Sequence, residues 1–135
     1  MELALSAQTV GSVSIALMDG ARVQKKSDVD AAPDQFLKAI AETLGAWGVP
    51  LSSFTRIVVV VGPGSFTSCR VITTIANAIG FTQTIPVVGV ENPDHRPLDE
   101  LSIPEDASAF AVPSYDRPPN ITKPHSTRMG INRVE

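Results

Sequence analysis

Val60-Val61-Gly62-Pro63-Gly64-Ser65-Phe66-Thr67 is the stretch whose reading decides the fold. It joins two segments of opposite character. Upstream, Ile57 to Val61 is continuously apolar and β-branched, the pattern of a central strand covered on both faces. Downstream, Val71, Ile72, Ile75, Ala76 and Ile79 recur at helical spacing, which predicts a helix from about Phe66 to Gly80. Two glycines permit a sharp turn where a Cβ would clash, and Ser65 is placed to cap the first orphan N–H groups of that helix. A strand, a glycine turn and a helix in this order begin a crossover unit of an α/β domain.

Reading outward from that unit, Phe36, Leu37, Ile40, Leu44 and Trp47 trace the apolar face of an earlier helix. Pro33 suits its first turn, and Gly45, Gly48 and Pro50 stop it. Further back, Leu3 and Leu5, then Val13, Ile15 and Leu17, alternate with small or polar residues as strands do. Asp19-Gly20 is a hairpin signal, and Ala21 to Lys26 is the expected returning strand. Asp28 and Asp30 read as residues preceding and capping the first helix, or as a weak cation site. On the C-terminal side, Pro86 to Val90 is the last buried strand. The expected order is a three-stranded meander followed by α-β-α-β.

After Glu91 the texture changes. Prolines interrupt residues 92–104, with one helical turn expected around Leu98 to Leu101 and a brief strand from Ala107 to Val112. Pro118-Pro119 and Pro124 predict an extended, mobile tail. The organisation expected is therefore a lobe over 1–91, a connecting segment over 92–112 and a basic tail over 113–135.

Composition bounds the function. The chain has 135 residues, 43% hydrophobic and 19% charged, as in globular proteins, with room for one core. The net charge is −3, of which residues 116–135 contribute +2 and the remainder −5. An acidic body is ill suited to holding a nucleic-acid backbone by itself. The basic tail is either a solvated end or an RNA contact within a larger assembly. Cys69 is the sole cysteine, which excludes an internal disulfide and a cysteine-rich zinc site. No run is long enough to span a bilayer, and Met1 to Leu5 has no basic leader. A cytoplasmic location away from membranes is expected.

On its own chemistry the Gly62–Thr67 loop is a structural turn, or a contact for a phosphate or a partner. No Gly-Lys-Ser/Thr follows, and Gly-x-Gly-x-x-Gly is left incomplete at Thr67. His95 and His125, with Ser65 and Asp94, are candidates for a nucleophilic constellation, but no Gly-x-Ser-x-Gly elbow accompanies them.

Gly62-Pro63-Gly64-Ser65-Phe66-Thr67-Ser68-Cys69-Arg70 resembles the GPGSFTGLR signature of the TsaB (YeaZ) family. Ser14 to Gly20 is similar to that family's "SVAL…DG" hairpin, Ile85 to Val90 to its "IPLVGV" strand, and Pro113 to Pro119 to its "PLYLRPP" segment. The resemblance covers residues 1 to about 91 and implies a ribonuclease H-like, actin-type ATPase half-domain. It also implies an accessory, non-catalytic role beside TsaD, the subunit that transfers a threonylcarbamoyl group to the adenosine next to the tRNA anticodon. The ATPase TsaE, a homodimer of the chain and tRNA held only within the complex are the further partners implied. ATP or ADP is expected only at a border with a partner.

The departures bear on that role. The family's first strand carries Asp-Thr-Ser where this chain has Ala7-Gln8-Thr9, so a metal-positioning or water-polarising carboxylate is missing. Ala32 takes the place of a histidine, Ser68-Cys69 replaces Gly-Leu, and few residues separate Val90 from Pro113, where longer members carry a second lobe. No catalytic residue and no metal ligand are expected. A partner surface is expected on the second helix at Val71, Thr74 and Ala78, where Thr73, Thr74 and Asn77 also suit close helix–helix contact. The competing readings are a small nucleotide-binding or hydrolytic protein using Gly62 to Thr67, and a stand-alone interaction module.

Overall fold

The computed structural model describes residues 1–20 and 22–98. Five strands, β1 (Glu2–Ser6), β2 (Ser12–Asp19), β3 (Arg22–Asp30), β4 (Arg56–Gly62) and β5 (Val87–Glu91), form one sheet in the order β3-β2-β1-β4-β5. The first three are antiparallel neighbours, whereas β4 and β5 run parallel to β1 and to each other. Parallel pairing needs a crossover. The chain supplies it with α1 (Phe36–Trp47), entered through a 3₁₀ turn at Pro33–Gln35, and with α2 (Phe66–Gln83).

Strand alternation sorts the apolar residues into two layers. Leu3, Leu5, Val13, Ile15, Ile57 and Val59 face the helices, where Phe36, Ile40, Ile72 and Ala76 meet them in the main core. Each large side chain so buried contributes about 1.5–3 kcal/mol. Ala4, Ala16, Met18, Val58, Val60, Val88 and Val90 face the other way, in a second cluster that includes Leu98. The unbroken apolar run of β4 is thus explained, since both of its faces are buried. Glu2 and Arg56, register partners at the start of β1 and β4, form an ion pair at 2.8 Å that is mostly covered.

Three details differ from the sequence expectation. β3 continues to Asp30, so Asp28 and Asp30 are strand residues opposite Ser14 and Ser12 and not helix caps. The cause is pairing: β2 offers a full edge of N–H and C=O groups, which override the polar composition of Lys25 to Asp28. α2 runs three residues beyond Gly80, to Gln83. Thr73 is 1% exposed, so it belongs to the buried side of α2 and not to its outer surface. The expected turn at Leu98 to Leu101 begins at the last described residue and otherwise lies outside the described residues, as do the strand at 107–112, the tail and His125. Among the described residues, no helix is long and apolar enough to cross a membrane.

Candidate functional site

The C-terminal ends of β1 and β4, the two central parallel strands, converge on the glycine loop. Pro63 follows Gly62 through a cis peptide bond, and Gly64 lies beside Gln8, just past the end of β1. A Cβ on Gly64 would stand 3.1 Å from Cys69 Sγ and 3.5 Å from Gln8 Cα, closer than ordinary contact for the first of these. A side chain here would crowd the Cys69 thiol, whereas the Gln8 backbone stands at ordinary contact distance. Ser65 then opens α2 as its N-cap, its Oγ accepting a hydrogen bond from the Ser68 N–H at 3.4 Å, while the Cys69 N–H reaches Ser65 O at 2.9 Å. The first donors of the helix are thereby partly satisfied from within the chain.

Gln8 ties this loop to the segment after β5. Its Nε2 donates to Pro63 O at 2.7 Å and to Asn92 O at 2.9 Å, and its Oε1 accepts from Asn92 Nδ2 at 2.8 Å. Asn92 Nδ2 also donates to Arg96 O, and its Oδ1 accepts from the Arg96 N–H, at 2.8 and 3.0 Å. The Asn92 N–H donates to Gly62 O at 2.8 Å. Both amide side chains are buried, so their hydrogen bonds are made away from competing water. They shape a turn over residues 92–96 in which His95 takes a left-handed backbone with φ of 52°. The sequence reading missed this pair. The available signal was two amides at the ends of buried strands, where a core residue would otherwise be expected.

The turn borders a polar cavity of about 290 Å³ on the sheet face opposite the helices. Ser6, Ser12 and Ser14 line its floor, Lys26 and Asp28 its β3 side, and His95 and Arg96 its rim. Asp28 accepts a hydrogen bond from the Ser14 hydroxyl through Oδ1.

The residues singled out from sequence are distributed as follows. Gly62 and Gly64 are buried, Pro63 and Ser65 half-buried, and Phe66, Thr67 and Arg70 exposed along the first turns of α2. Thr74 and Ala78 lie on the outer side of the same helix, while Val71 is half-buried and packed on the core. Ser65 caps α2, whereas His95 stands in the 92–96 turn and lines the polar cavity. Ala7 is 2% exposed and packed in the main core, with no polar atom in its side chain. Ala32 is exposed and precedes the 3₁₀ turn. Among the described residues, no group of three or more His, Cys, Asp or Glu side chains is arranged to hold a metal ion.

A family model described as "TsaD: tRNA N6-adenosine threonylcarbamoyltransferase" matches residues 32–94. Among solved structures, YeaZ from Pseudomonas aeruginosa is similar, with a TM-score of 0.58 and 26% identity. The similar region covers 67% of this chain and 43% of that one. A second structure, described as an uncharacterized protein with similarity to peptidase YeaZ from the same organism, gives the same values. The chain thus spans less than half the length of the structures it matches. No curated protein matches it by sequence. The five-stranded sheet with its two helices corresponds to the ribonuclease H-like, actin-type lobe of YeaZ.

Proposed function

From the premise that this is a TsaB/YeaZ-like chain, we propose that it acts as a non-catalytic scaffold in threonylcarbamoyl modification of tRNA, holding a TsaD-type transferase. The observation that carries this reading is the outer side of α2. Over its 18 residues the helix has a single charged side chain, Arg70. Thr67, Arg70, Thr74, Ala78 and Phe81 form an exposed row about one turn apart, with Phe66 44% and Phe81 74% exposed. Small residues in the middle and aromatics at either end allow close helix–helix approach with anchoring contacts. The half-buried Val71 extends the row toward the core.

A scaffold needs such a surface and no reaction centre. Ala7, buried where the resembling family has a carboxylate, is consistent with that. In this reading TsaE and a second copy of the chain are further occupants of the assembly, and tRNA is touched only within it. ATP or ADP is placed at a border with a partner. In the Gly62–Thr67 loop the Ser65 side chain already accepts from the Ser68 N–H at the start of α2. The test is assembly. Thr74→Glu and Ala78→Glu, each checked for folding by circular dichroism, are mixed with the TsaD and TsaE proteins of the same organism. Each is expected to weaken complex formation at least tenfold, about 1.4 kcal/mol. Unchanged assembly by both variants would remove this face from the interface, and no complex with the unaltered chain would overturn the scaffold reading.

A further inference from the structure

We infer that the outer edge of β3 is a docking surface for a second copy of this chain, which adds its own β3 antiparallel across a two-fold axis. The inference is independent of the scaffold reading, which uses another part of the molecule: α2 lies over β4, β1 and β5. β3 ends the sheet, with β2 on its inner side, and none of its nine residues is buried. No proline interrupts Arg22–Asp30. Such a strand presents a row of N–H and C=O groups that another strand can pair with.

The backbone of this edge is regular over its second half. From Lys25 to Asp30 the register with β2 runs unbroken, and its shift lies nearer the hairpin, between Leu17 and Met18. The Ala31 N–H continues the ladder to Gly11 O at 3.0 Å. In an antiparallel ladder, alternate residues turn their N–H and C=O groups to opposite sides. Val29, Ser27 and Lys25, in step with Ala31, therefore bond to β2, and Lys26, Asp28 and Asp30 turn theirs outward.

Charge selects both the partner and the register. Lysines on an edge keep most incoming strands away. Here the cations Arg22, Lys25 and Lys26 come first and the carboxylates Asp28 and Asp30 last, so an antiparallel copy is complementary to the strand it meets. Outward-turned residues must pair with outward-turned residues. An axis at Lys26, Asp28 or Val29 then sets like charges directly opposite each other, which is unfavourable. An axis nearer the hairpin runs into the bulge. An axis at Ser27 sets Lys26 of each copy opposite Asp28 of the other, and each such pair exchanges two backbone hydrogen bonds. Among the described residues neither side chain has an ion pair within its own chain, and the Ser14 hydroxyl occupies only Oδ1 of Asp28. One strand per copy makes a small interface, so the association is weak and depends on concentration.

The test is sedimentation velocity of the full chain from about 10 μM to about 1 mM. A dimer fraction that rises with concentration is expected. Lys26→Asp and Asp28→Lys should each raise the dimer Kd about tenfold, by setting like charges opposite. The double variant should return to the parent value, which also shows that the altered strand folds. Thr74→Glu, on the scaffold face, should leave this dimer unchanged. Ser27→Cys should cross-link the dimer under mild oxidation, because Cα atoms about 4.5 Å apart at the axis lie within disulfide reach. The parent chain, whose Cys69 is buried, and Asp30→Cys, far from the axis, should not. A monomer throughout, a dimer lost in Thr74→Glu but kept in Lys26→Asp and Asp28→Lys, no recovery in the double variant, or no cross-link at position 27 would each overturn the inference.

Discussion

Replacing Gln8 by leucine keeps the size and burial of the side chain and removes its amide. Three hydrogen bonds disappear, to Pro63 O, to Asn92 O and from Asn92 Nδ2, all between 2.7 and 2.9 Å. At about 1 kcal/mol each, the bonds alone amount to roughly 3 kcal/mol. The residues left behind add to this. Asn92 is 3% exposed, so its freed carbonyl cannot rehydrate without opening the turn, and an orphaned buried acceptor costs about 1–3 kcal/mol. Asn92 Nδ2 keeps its bond to Arg96 O, which limits the loss there. The expected total is about 4–6 kcal/mol, a large share of the 5–15 kcal/mol available to a domain. Urea unfolding of Gln8→Leu would show a lower midpoint at unchanged slope, and native-state hydrogen exchange would show lost protection at the amides of Asn92 and Arg96. A double-mutant cycle with Asn92→Leu isolates the pair, with a coupling energy of about 1–3 kcal/mol. A Gln8→Leu loss below about 1 kcal/mol with unchanged exchange at Asn92 and Arg96 would refute the claim that this amide pair fastens the loop to the sheet.

Two further substitutions probe the close contacts at glycines. Gly64→Ala is expected to cost about 1–2 kcal/mol by urea unfolding, because the new Cβ would stand 3.1 Å from Cys69 Sγ. Adding Cys69→Ala should recover part of that loss, and no recovery would show that the strain lies elsewhere. Gly80→Ala should be worse, about 2–3 kcal/mol. Its Cβ would meet Val87 Cγ2 well inside contact distance and the backbone Ile85 O at 3.0 Å, and the carbonyl cannot rotate away as a side chain can. A thermal melt within 2 °C of the parent protein would contradict this reading of the α2–β5 junction.

Those junctions also mark where reading the chain residue by residue succeeds and where it stops. The Ser65 cap, the two-faced burial of β4 and the apolar sides of α1 and α2 were all legible, because each is written in neighbours within one or two turns or along one strand. The length of β3 was not. Arg22 to Asp30 is a charged edge strand whose period carries no apolar signal, and it is held by its ladder with β2. The same holds for Thr73. Its polarity places it with Thr74 and Asn77, whereas packing puts it on the buried side of α2.

By itself, then, the sequence determined the order of strands and helices and the glycine turn between β4 and α2. Periodicity, capping and residue chemistry are local properties, and they survive without knowledge of what lies across the sheet. Only the tertiary structure decided that Gln8 meets Asn92 across 84 positions of chain, that the second sheet face turns from apolar to hydroxyl-bearing at Ser6, and that Lys26 and Arg96 border one cavity. Each of those facts depends on which strands become neighbours, and strand pairing is set by the whole sheet at once.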